Sequence, residues 1–176
     1  MNRVALKLSS ALCSALLCAS VASAQIPAYT EAGPIPSALT SAKTFFVSNG
    51  GTVSQFFPDT FTGDANRAYS QFYAALKATG KYDLVGDPSQ ADLVLYLRLV
   101  ARPCRSISYN CTGVPDPQPV FYLTIYDRKT HYVLWTITQP VDGAILLKNH
   151  DHNFDAALAV VVREFERVTG KTPVTP

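Results

Sequence analysis

A chain of 176 residues, 48% hydrophobic and 16% charged, holds enough apolar side chain to bury a core, which excludes a mainly disordered protein. Its formal charge of +2 comes from Arg3 and Lys7, and beyond residue 24 the chain carries 13 basic and 13 acidic side chains. That balance excludes bulk electrostatic capture of nucleic acid or anionic lipid as the main activity.

Met1 to Lys7 supplies the positive charges, Leu8 to Ala19 is apolar, and Ala22-Ser23-Ala24 has the small-x-small form of a cleavage signal. Residues 1–24 therefore read as a signal peptide, with the mature chain starting at Gln25 and exported to the periplasm or beyond. Cys18 opens a lipoprotein alternative, against which stand Leu16 and Leu17 where that peptidase prefers small residues. No other run reaches the roughly 20 apolar residues of a membrane span, so no transmembrane anchor is expected. Export leaves Cys104 and Cys111 as one pair in an oxidising compartment, and a Cys104–Cys111 disulfide pinning its loop is expected.

Gln25 to Ser41, with Pro27, Pro34 and Pro36, reads as a flexible leader. The single domain is expected over residues 42–170, with a tail at 171–176. Lys43 to Ser48 reads as a first strand stopped by Asn49-Gly50-Gly51. Tyr69, Phe72, Tyr73 and Leu76 share one helix face, with Asp64 as a capping residue and Gly80 at the end. Tyr82 to Val85 is a short strand. Leu93 to Val100, Val120 to Tyr126 and Tyr132 to Thr138 are longer strands with apolar odd positions. Phe154, Leu158, Val161, Val162, Phe165 and Val168 mark a closing amphipathic helix ended by Gly170. The order β-α-β-β-β-β-α predicts a two-layer α+β domain, with a mixed, mostly antiparallel sheet and both helices on its odd face.

The helix end ATGKYDLV, the strand QADLVLYLRL and the hairpin YDRKTHYVLW, with its Asp-x-x-Thr-x-x-x-x-Trp spacing, resemble bacterial envelope domains of the curli-secretion and penicillin-binding-protein-activator type. The resemblance spans about residues 43–169. It implies an envelope accessory or assembly protein without catalytic residues.

Two groups are candidate sites. The even strand positions gather Tyr96, Arg98, Tyr122, Tyr126 and Tyr132, residue types that dominate binding hot spots. This face, or the cysteine loop, is expected to bind an envelope protein or a glycan. Exposed cross-strand tyrosines also stabilise a sheet without a ligand, or pack against a second copy in a homodimer. His150, His152 and Asp155 are the densest set of metal-ligand types and carry the alternative, a metal-dependent or other hydrolase. Their spacing is poor for a metal, and acidic residues at a helix start are explained by capping and the helix dipole. Asp127, His131, Glu164 and Glu166 form no recognisable acid–base set, and there is no phosphate loop, nucleophile elbow or zinc-binding helix. No cofactor is expected.

Overall fold

Large apolar residues at every odd position of 93–99 and 121–125 commit these segments to strands with one buried face, and they form the centre of the sheet. The computed structural model describes residues 29–30, 33–53, 56–57, 59–102 and 118–171. Its elements are β1 (Tyr29–Thr30), α1 (Ser37–Ser41), β2 (Thr44–Thr52), α2 (Arg67–Thr79), β3 (Asp83–Leu84), β4 (Leu93–Arg102), β5 (Gln118–Asp127), β6 (Val133–Pro140) and α3 (Leu147–Val168). A 3-10 turn at Pro88–Gln90 precedes β4. The strands form one sheet in the order β1-β6-β5-β4-β2-β3. β2 runs parallel to β3 and β4, and the remaining pairs are antiparallel. This is the α+β, mostly antiparallel arrangement that the order of elements implies.

Odd positions face the helices. Leu93, Leu95, Leu97 and Leu99 of β4, Phe121, Leu123 and Ile125 of β5, and Trp135 and Ile137 of β6 are buried. Against them lie Phe72 and Leu76 of α2 and Phe154, Val161, Phe165 and Val168 of α3, also buried, in one apolar cluster. The aromatic rings interlock by edge contacts: Phe121 meets Phe154 at 5.1 Å, and Phe45 meets Phe165 at 5.8 Å. Gly80 ends α2 in a left-handed conformation (φ 64°), as its sequence position suggests. Asp64 acts two residues before the cap: its carboxylate accepts from Asn66 N at 2.7 Å, and Asn66 holds the cap position.

Several expectations change. The leader is structured where described: Tyr29 and Thr30 pair with Thr138 and Ile137 on β6, and α1 buries Leu39 in the core. Asn49-Gly50-Gly51 does not stop β2. It forms a bulge, with the register against β4 shifting between Asn49 and Thr52, and Gly51 takes φ 85°. The closing helix starts at Leu147 rather than near Phe154. Lys171, the first residue of the expected tail, donates to Lys81 O at 3.1 Å and lies over the rings of Phe45 and Tyr82. Residues 1–24 and the pair Cys104 and Cys111 lie outside the described residues.

The motifs behind the envelope-domain resemblance are structural clamps. Asp92 accepts from the backbone N–H groups of Lys43 (2.9 Å) and Thr44 (3.1 Å), fixing the start of β2 beside β4. Arg128 Nε donates to Ala91 O at 2.8 Å, tying the β5–β6 hairpin to the same corner. Asp127 accepts from Thr130 N and Oγ1 at 2.7 and 3.0 Å, closing the turn. These bonds hold the Asp92 and Asp127 carboxyls below the usual range; at Asp92 the Lys43 and Thr44 N–H groups are the leading cause, and at Asp127 the Thr130 N–H.

Candidate functional site

Because successive strand residues point to opposite faces, sending the apolar odd residues inward sends the even residues outward. Antiparallel register sets Tyr96 opposite Thr124 and Thr124 opposite Thr136. The next row sets Arg98 opposite Tyr122 and Tyr122 opposite Thr138. On the parallel side Ser48 pairs with Tyr96. Tyr96, Tyr122, Thr124, Tyr126, Thr136 and Thr138 are half-buried and Arg98 is exposed, so this face is only partly covered. It closes at one end, where Val120 is buried.

Within the face, Tyr96 and Tyr126 meet edge to face, with centroids 6.4 Å apart and planes at 73°. The Arg98 guanidinium lies 5.9 Å from the Tyr96 ring centre and 6.0 Å from that of Tyr122. Gly50 makes room for this pair. A Cβ there would run into Arg98 Cγ and stand 2.7 Å from Leu97 O and 2.8 Å from Tyr96 Cζ, so the bulge glycine is what lets these side chains lie across β2. Tyr132 is 74% exposed, but it precedes β6 in the hairpin, after His131 (φ 62°), and no described ring contact joins it to the others.

The histidine cluster is separated by its helix. Because α3 already includes residues 150–155, His150 and His152 point about 200° apart around the axis. His150 packs its ring 6.4 Å from Phe61, while His152 is exposed and borders an open depression with Ile145, Leu146 and Asn153. The carboxylates are occupied by Arg67, a residue the sequence reading did not single out. Arg67 donates to Asp151, to Asp155 at 2.8 Å and to Thr62 O at 2.9 Å, with its guanidinium 4.4 Å above the Phe154 ring. Asp151 also accepts from Thr62 N and Oγ1, each at 3.0 Å. Burial pushes the Asp151 carboxyl up, but its bonds to Arg67 and Thr62 outweigh this and hold it below the usual range. Asp151 and Asp155 thus join α3 to α2 rather than capping α3. Among the described residues no three His, Cys, Asp or Glu side chains converge as metal ligands.

The other titratable candidates have structural partners. Glu164 pairs with Arg167 at 2.6 Å, and Glu166 with Lys81 at 3.0 Å. Beside them, burial and the Glu166 charge push the Tyr82 hydroxyl up to about 12 against the opposing Thr169 hydrogen bond. No described helix is long and apolar enough to cross a membrane.

No protein-family model and no curated protein matches the chain. Among solved structures, it is similar to a DUF4136 family protein from Bacteroides thetaiotaomicron at 14% identity and TM-score 0.50, over 82% of this chain and 96% of that one. It also matches a PelC dodecamer from Paraburkholderia phytofirmans at 17% identity and TM-score 0.41, over 81% and 96%. A third match is a DUF330 protein from Xanthomonas campestris at 13% identity and TM-score 0.43, over 79% and 86%. At these identities the first of them supports the fold alone.

Proposed function

We propose that the chain is an exported, non-catalytic binding or assembly domain of the cell envelope, of the accessory kind implied by the resemblance to curli-secretion and penicillin-binding-protein-activator domains. The open face of its sheet is where the partner docks. One observation carries this reading: the helices seal one face of the sheet, while the other leaves Tyr96, Arg98, Tyr122 and Tyr126 together and only partly covered. Tyrosine and arginine supply most binding energy at protein surfaces because each combines large contact area with a polar end. The signal-like amino terminus supports the envelope location.

The test is in-cell crosslinking with mass spectrometry on the tagged chain, comparing wild type with the Tyr122→Ser, Tyr126→Ser double variant. Wild type is expected to capture a distinct partner that the variant loses, with the thermal midpoint nearly unchanged. Identical capture by both overturns the assignment of the surface.

A further inference from the structure

We infer that the occupant of the open face is a protein presenting a carboxylate, an Asp or Glu side chain within an otherwise apolar and hydroxyl-bearing surface, to Arg98. This rests on reading the face as a docking surface and adds the chemistry of its partner.

Charge selects the occupant. The outward positions of β2, β4, β5 and β6 contain no Asp or Glu. Arg98, exposed near the middle of β4, makes no hydrogen bond or ion pair with any described residue, and its contacts are the faces of Tyr96 and Tyr122. Ring faces attract the cation but accept none of its five N–H donors in the plane of the fork. A partner that covered this guanidinium without an anion would strand a charge in a dry interface, whereas a carboxylate accepts two parallel N–H bonds. A second copy docked face to face meets Arg98 with the same outward positions of β2, β4, β5 and β6, none of them acidic, while its exposed Asp83 stands on the edge strand β3, so charge complementarity disfavours it.

The geometry of the rings separates protein from glycan. A sugar ring stacks on an aromatic face laid flat to solvent, and the 73° angle between Tyr96 and Tyr126 leaves the two without a common flat platform. A surface holding tyrosines around Arg98, with no acid on the neighbouring strand positions, has the composition of a protein interface core. Gly50 fits the same purpose, since it keeps Arg98 and Tyr96 in place beside β2.

The test places a photo-activatable residue at Thr124, with Thr138 as a second position, in the full chain in its own cell, and maps each crosslink to a residue. The expected result is a crosslink to another protein next to an Asp or Glu. Arg98→Glu lowers its yield at least about tenfold, Arg98→Lys, which keeps the charge but not the fork, falls between wild type and Arg98→Glu, and changing the mapped acid to Lys restores capture by Arg98→Glu. Crosslinks only to a second copy, or only to glycan, overturn the inference. So does undiminished capture by Arg98→Glu when the Tyr122→Ser, Tyr126→Ser variant has lost it, which leaves the docking face intact but removes its charge rule. Empty maps from both positions overturn the inference and the docking face together.

Discussion

The two faces of the sheet are built from the same strands, yet they are written in different alphabets. The inward face is aliphatic and phenyl, closed by α2 and α3, with Leu93, Leu95, Leu97 and Leu99 in an unbroken buried row. One residue away along each strand, the outward face carries half-buried tyrosines and threonines and the exposed Arg98, with no described helix over them. A sheet needs one sealed face for stability, and the other is available to selection for something else.

Adjacent residues test this contrast most directly. Leu123→Ala, on the sealed side of the central strand β5, should cost about 3 kcal/mol or more by denaturant titration. Its neighbour Tyr122→Ala should cost less than about 1 kcal/mol. Comparable losses would mean that the outward face is also part of the stability core. Gly50→Ala sharpens the comparison, because the new methyl meets the Leu97 carbonyl as well as two movable side chains. About 2 kcal/mol is expected, together with reduced partner capture, since Arg98 and Tyr96 must shift.

Smaller again is Arg67→Met, about 1 to 2 kcal/mol, because Asp155 is substantially exposed while Arg67 is only 12% exposed. This loss depends on pH. The folded Asp151 carboxyl lies below its ordinary value, so its contribution is fully present above about pH 4 and fades as the pH falls through the folded value. Unfolding curves of Arg67→Met should therefore converge on wild type as the solution is acidified through that range.

Much of this fold was legible because period-two patterning is local. The odd residues of the three long strands point inward as their alternation implies, except Val133, which is 51% exposed where the register between β5 and β6 shifts, and Phe72 and Leu76 mark the buried side of α2. The two-residue β1 has too few positions to show any period, and the proline-rich composition around it argues for a leader. The Gly50-Gly51 bulge looks like a turn in sequence because glycine serves both. Four of the five expected surface residues meet on one face, but the turn conformation of His131 removes Tyr132 from the strand. Arg67 escaped notice because its partner Asp151 is 84 residues away, and no spacing rule reaches that far.

That separation also sets the size of the loop the contact closes. Arg67 opens α2 and Asp151 lies in the second turn of α3, so the pair bridges 84 residues that include β3, β4, β5 and β6. Closing so long a loop costs little more entropy than closing a short one. Through Arg67, the cluster that resembles a metal site serves instead as a clasp between the two helices on the sealed face of the sheet.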